Sequence, residues 1–467
     1  MSKSKIKGKD LKKINYKSDR AKSLAINIIN SDFKHLSKQD KLALLEDVLI
    51  NPKDYIKHVS LVKLAEELIG KIKTNHGTIY HLDNIEKPFA IYGNKHITHD
   101  TVRQMATAIQ LPISEYGALM PDAHVGYGLP IGGVLAARNA VLPYGVGLDI
   151  GCRMSLSIYD VPSEFIKRNS YQIKTALKEQ THFGIGKIEK HNLDHEILER
   201  NEFNEIEILR QLKGKAQNQL GSSGSGNHFV EFGTVELGPE NAFDLKEGKY
   251  VGILAHSGSR GLGASIADYY TKVAKRVCLL PNGAQHLAWL DLDSEAGQEY
   301  WLAMNLAGDY AKACHDTIHY RLSKTLGLKP VLHIENHHNF AWKEQIDGQE
   351  LIVHRKGATP AAKGQFGIIP ANMIDPGYIV SGKGDGASLN SASHGAGRRL
   401  SRKKAKDSYT GSELKKLLNQ NKITLIGGGT EEAPMAYKNL EEVMGAQKDV
   451  INIEGKFYPQ IVRMDKQ

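Results

Sequence analysis

Cysteine is scarce. Cys152, Cys278 and Cys314 are the only three in 467 residues. Odd in number and far apart, they imply no disulfide framework, and the expectation is a cytoplasmic protein of the reducing cytosol. Long apolar runs are also missing. No stretch approaches 18 apolar residues, which argues against a membrane span. No apolar core follows the basic start of the chain, which argues against a secretory signal. No period recurs among the 45 glycines, which excludes a repeat architecture. What is present is an ordinary globular balance, 41% hydrophobic and 24% charged.

Charge leans one way. Lys and Arg outnumber Asp and Glu by 61 to 52, a net +9, and this favours an anionic partner, nucleic acid being the commonest. The segment 1–22 holds eight Lys and one Arg. It reads as a solvated, disordered tail, with a nucleic-acid arm as the alternative. Residues 37–50, SKQDKLALLEDVLI, carry a capping pattern at Ser37 and Asp40 and stop before Asn51-Pro52, which predicts a short helix. Residues 59–72 place Leu61, Leu64, Ala65, Leu68 and Ile72 on one helical face. Residues 1–80 are therefore expected to be a basic tail and helical extension, and 85–467 a separate domain.

From about residue 88 glycine becomes dense, and short apolar runs alternate with Gly/Ser turns: LPIGGVLA (129–136), VGILAHSGSRGLG (251–263) and GYIVSGKGDG (377–386). Strands ending in such turns, with helices at 160–215 and 264–278, predict a mixed α/β (α+β) body. Residues 235–249 and 280–295 read as loops. Many Gly-rich turns carrying polar residues suggest one composite site built from loops.

The chemistry-bearing residues sit at those turns. VGLDIGCRM (146–154) places Asp149 and Cys152 three apart, close enough to share a cation. A buried structural cysteine beside a turn aspartate gives the same spacing. His228 follows a Gly/Ser-rich approach, with Asn227 before it and Glu231 after it. His256 ends an apolar run at the lip of a turn that also holds Arg260. In HIENHHNF (333–340), period-2 alternation puts Leu332, Ile334, Asn336 and His338 on one face, and His333 and His337 on the other. Any one of these histidines could be a satisfied polar residue. Together, three His, one Cys and one Asp suit Zn²⁺, Mn²⁺, Fe²⁺ or Co²⁺ better than Mg²⁺ or Ca²⁺, and a bridging thiolate would accommodate two ions. SASHGAGRRLSR (391–402) sets His394 among small residues, with cations following. A histidine nucleophile attacks phosphorus only if the phosphate charge is neutralised; Arg260, Lys356, Arg398, Arg402 and the amides of 395–397 are candidates for that task. These residues alone do not separate a covalent His394 from one that merely binds.

Seven stretches, in order, resemble the RtcB family of GTP-dependent RNA ligases: MPDAHVGYGLPIGGV (120–134), VGLDIGCRM, GSGNHFVE (224–231), AHSGSRGLG (255–263), HHNF (337–340), HRKGATPA (354–361) and SHGAGRRLSR (393–402). The resemblance covers most of 88–467. It implies an RtcB-like catalytic domain with curved β-sheets flanked by helices, acting in RNA repair or tRNA splicing. His394 matches the family nucleophile, which takes GMP from GTP and passes it to an RNA 3′-phosphate, itself formed from a 2′,3′-cyclic phosphate. A 5′-hydroxyl end then displaces the GMP. The resemblance implies two Mn²⁺ on Asp149, Cys152, His228, His256 and His338, with Cys152 bridging. It implies a guanosine pocket of Asn227, His228, Glu231, His338, Asn339, Pro370, Met373, Gly395, Ala396, Gly397 and Lys466, and phosphate or RNA contacts from Arg260, Arg398 and Arg402. An activating protein such as archease belongs to the same set of expected partners. At 370–378 the chain reads PANMIDPGY where the family has a PGSMG-like turn and then a serine. Pro370, Met373 and Tyr378 agree; Ala371, Asn372 and Gly377 do not. With the divergent amino-terminal segment 1–75, this fits a repair-type branch. Nucleotide-independent phosphohydrolysis and RNA binding without ligation are the alternative functions.

Overall fold

The structure, a computed structural model, describes residues 5–56, 58–69, 77–85, 87–184 and 193–465. The chain divides into two compact units, Met1–Gly77 and Thr78–Gln467. No helix among the described residues is long and apolar enough to cross a membrane.

The first unit is a small set of helices, Gly8–Lys13, Asp19–Ser31, Lys38–Ile50 and Val62–Ile69. Ser37 caps the third, its hydroxyl accepting from the Asp40 N–H. Leu61, Leu64, Ala65 and Leu68 are buried on one face of the fourth segment; Ile72 lies outside the described residues. The expected disordered tail is corrected here. Residues 6–16 fold onto this unit because Ile6, Leu11 and Tyr16, three apolar anchors hidden among lysines, are buried in its core with Ile29, Leu45 and Leu64.

The second unit is mixed α and β, as expected. Its larger sheet runs in the order Leu332–His337, Arg153–Tyr159, Gly248–Ser257, Phe229–Leu237, Ile451–Met464, Gly377–Gly382 and Phe366–Ile369, with Thr424–Ile426 added beside Ile451–Met464. The sheet curls so far that its two edge strands approach one another. Asn336 bridges them: its Oδ1 accepts from the Ile368 N–H at 2.9 Å, and its Nδ2 donates to the Ile368 carbonyl at 3.4 Å and to Thr359 Oγ1 at 3.1 Å. One face of the curl packs Val230, Phe232, Val251, Ile253 and Ala255 against Ile318 and Leu322 of the long helix Glu295–Leu326. The inner face packs Met154, Leu156, Val235, Leu254, Ile334, Ile368 and Phe457. Period-2 alternation then puts Glu231 and His256 on that inner face.

A second sheet has the order Asn339–Ile346, Gln349–Lys356, Ile131–Ala137, Ser114–His124 and Ala90–Ile91. The chain crosses from one sheet to the other at His338, whose N–H donates to the Cys152 carbonyl (2.9 Å) and whose carbonyl accepts from Gly357 (2.8 Å). A short pairing of Ala358–Pro360 with Ser391–Ser393 delivers His394 to the same junction. Two local expectations need correction. The helix expected at 264–278 spans Arg260–Val277, so the glycines at 261 and 263 lie in its first turn rather than in a preceding loop. Residues 235–237 and 248–249, expected as loop, belong to strands that the flanking sheet partners extend.

Candidate active site

Where the two sheets meet there is a cleft of about 550 Å³, lined by residues from both, a size suited to a small-molecule ligand. At its floor four soft or borderline donors converge. Cys152 Sγ lies 3.4 Å from His228 Nε2 and 3.2 Å from His256 Nε2. His256 Nε2 lies 3.3 Å from His338 Nε2, and His228 Nε2 lies 2.9 Å from Asp149 Oδ2. The four Cys and His residues are buried. His256 Nδ1 sits 3.0 Å from the Asn227 carbonyl. A carbonyl only accepts, so Nδ1 carries the hydrogen and Nε2 turns a lone pair inward, the arrangement typical of a metal-bound histidine. That lone pair faces a second imidazole nitrogen and a sulfur. Burial and the neighbouring Asp149 both push the Cys152 thiol well above its ordinary value. A divalent cation reconciles these groups: it satisfies lone pairs that otherwise crowd one another, and it draws the thiol to thiolate. The donor set fits such an ion. Gly224 makes room for the His228 ring, because a Cβ there would lie 1.7 Å from His228 Nδ1.

His394 stands beside this cluster, its ring centroid 5.0 Å from that of His338. Its orientation comes from Asp122, which is fully buried. Asp122 Oδ2 lies 2.7 Å from His394 Nδ1 and accepts the backbone N–H of His394 (3.1 Å) and of Gly395 (3.3 Å). A carboxylate oxygen that takes two backbone N–H groups acts as the acceptor here too, which places a ring hydrogen on Nδ1 and makes Nε2 the nitrogen turned away from Asp122. Gly397, at φ 73, lets the loop turn over Asp122; a Cβ there would lie 2.3 Å from the Asp122 carbonyl oxygen.

The rest of the cleft is polar at chosen points. Burial raises the Glu231 carboxyl to about 8. Burial lowers the Lys356 ammonium to about 7, and Lys356 donates to the carbonyls of Tyr127 and Tyr144. Asn339 fixes the backbone under the site: its Nδ2 donates to the Asp149 carbonyl at 3.3 Å and its Oδ1 accepts from Gly357 at 2.8 Å.

Residues 104–464 match a protein family described as tRNA-splicing ligase RtcB. The chain belongs to the RtcB family. It is 31% identical over 385 residues to the RNA-splicing ligase RtcB of Escherichia coli K12, covering 76% of this chain and 91% of that one. It is 30% identical over 463 residues to the tRNA-splicing ligase RtcB of Methanococcus maripaludis, covering 82% and 94%. The tRNA-splicing ligase RtcB of Thermococcus kodakarensis is 31% identical over 419 residues, covering 74% and 86%.

Within this RtcB-family fold, most of the expected site residues line one cleft: Asp149, Cys152, Asn227, His228, Glu231, His256, His338, Asn339, Pro370, Met373, the loop 394–397, Arg398 and Arg402. Arg260 does not line it. Its guanidinium donates to Ser222 Oγ at 3.1 Å and to the Gly184 carbonyl. Lys466 lies outside the described residues. Arg398 and Arg402 are not free cations either, because both pair with the buried carboxylate of Glu432, at 2.7 Å each. Arg402 also donates to Asn227 Oδ1 at 3.0 Å. Sequence reasoning missed Asp122 and Glu432. Asp122 stood inside a quoted motif, but its partner is 272 positions away. Glu432 stood in the GGGTEEAP stretch with no spacing that tied it to the arginines.

Proposed function

We propose that this chain is a GTP-dependent RNA ligase that joins a 3′-phosphate or 2′,3′-cyclic phosphate end to a 5′-hydroxyl end through a covalent histidine–GMP. The observation that carries this reading is His394: Nδ1 is held by Asp122, and the other ring nitrogen is left free in the same cleft as the convergent Cys/His set. In the first step the Nε2 lone pair attacks the α-phosphorus of GTP. An N–P bond forms, the bond to the bridging oxygen breaks, and pyrophosphate leaves. Asp122 stabilises the positive charge that develops on the ring. Two Mn²⁺ held by Asp149, Cys152, His228, His256 and His338 would supply the charge neutralisation that phosphoryl transfer needs. Glu231 accepts hydrogen bonds from the guanine N1 and N2 edge, which adenine lacks. Asn227, Asn339 and the amides of 396 and 397 line the nucleotide's path, and backbone groups of the 370–373 turn complete it.

An RNA 3′-phosphate oxygen next attacks the phosphorus of the His394 adduct, which frees the imidazole and activates the RNA end. A 5′-hydroxyl of the second RNA then attacks the 3′-phosphorus, and GMP departs. A cyclic phosphate end first consumes one water. The test uses RNAs with defined ends, wild type against His394→Ala, with metal and nucleotide varied and an archease-type activator added or withheld. Joined product that requires GTP, Mn²⁺ and His394 is the expected result. Phosphate-ester cleavage without nucleotide would replace this reading with a metal-dependent phosphohydrolase.

A further inference from the structure

The net charge is not spread along the chain. Residues 1–77, one of the two compact units, hold 17 Lys and Arg against 9 Asp and Glu, a net +8. Residues 78–467 hold 44 against 43, and they contain the whole of the family match. The excess is concentrated further. Lys5, Lys7, Lys9, Lys12, Lys13 and Lys17 are all exposed, and among the described residues no ion pair engages any of them.

These lysines stand on ordered backbone. The Ile6 N–H donates to Asn30 Oδ1, and Asn30 Nδ2 donates back to the Ile6 carbonyl, both at 3.1 Å. Leu11 is fully buried. The Tyr16 hydroxyl donates to the Leu45 carbonyl at 2.8 Å. The fold thus holds six like charges between positions 5 and 17 at a cost in self-repulsion, which a polyanion relieves. No apolar side chain of residues 5–17 is exposed, so nothing accompanies the lysines that would enter a lipid interior.

We infer that the amino-terminal unit docks the phosphate backbone of RNA and supplies the long-range attraction that a nearly neutral catalytic unit lacks. The choice of RNA among polyanions rests on the proposed function. A salt series of oligoribonucleotide binding to the full chain tests it. Replacing Lys9, Lys12, Lys13 and Lys17 together by Gln lowers the slope of log affinity against log salt by roughly 0.7 for each lysine that meets a phosphate. Binding near physiological salt then weakens about 10- to 100-fold. The same four positions changed to Arg keep wild-type binding, which separates charge from folding. An unchanged slope in the Gln variant overturns the inference. So does tighter binding of the full chain to phosphatidylserine vesicles than to RNA. Wild-type labelling by α-labelled GTP is read in parallel: no labelling, with the lysine effect intact, removes the proposed chemistry and leaves the docking surface standing.

Discussion

Asp122 and His394, 272 positions apart in the chain, form one unit: a single carboxylate oxygen takes the ring N–H at 2.7 Å and two successive backbone N–H groups. The contact sets both which ring nitrogen is free and where the loop 394–397 lies. Asp122→Asn keeps the shape, but its amide can present a donor to Nδ1 and so favours the wrong tautomer. The rate of His394 labelling by GTP should fall by roughly 10²- to 10⁴-fold, with GTP binding by equilibrium dialysis nearly unchanged. A labelling rate within threefold of wild type would remove Asp122 from its positioning role.

Metal binding should release protons. Burial and Asp149 favour the Cys152 thiol over the thiolate when no cation is present, so ligation by sulfur displaces a proton. Mn²⁺ affinity, read by isothermal titration, should therefore rise with pH across the neutral range. Cys152→Ser should bind fewer equivalents by elemental analysis and lose much of that pH dependence.

Glu231 gives a second pH signature. Its carboxyl, raised to about 8 by burial, is largely protonated at pH 6 and ionised above 8. On the proposed function the ionised form would accept both guanine donors, so GTP affinity should climb by up to about tenfold per pH unit between 6 and 8 and then level off. Glu231→Gln should be flat over the same range and discriminate less against ATP.

Glu432 is 1% exposed and pairs with both Arg398 and Arg402. Glu432→Ala removes the partner shared by the mostly buried Arg398 and the half-exposed Arg402, at a cost of roughly 1–3 kcal/mol. A lower denaturant midpoint measures this. Because Arg402 also holds Asn227, whose carbonyl orients His256, the variant should lose metal affinity as well.

Much of this site was legible because strand periodicity and Gly-rich turns are local signals. Period-2 alternation from Ile334 and Asn336 points His338 inward, and the structure buries it just past the end of that strand. Asp149, Cys152, His228 and His256 each sit in a short motif at a strand end, and they converge. Long-range pairing is not written locally. Asp122 reads as one more strand residue until His394 is folded against it, and Glu432 reads as an acidic turn until the arginines arrive. The amino-terminal segment misled for the opposite reason: its lysine density masks three anchors spaced five apart, Ile6, Leu11 and Tyr16. Arg260 was expected at phosphates from its turn, yet its side chain is held by Ser222 and Gly184.

The carboxamide of Asn336 has a chemical lifetime of its own. It stitches the seam of the curled sheet two residues before His338, offering a hydrogen to one oxygen of Ile368 and taking one from its nitrogen. Deamidation would put a negative oxygen where that hydrogen now points, and the seam would repel itself. Loss of one neutral amide would thus loosen the seam of the curled sheet, two residues from a donor at the floor of the cleft.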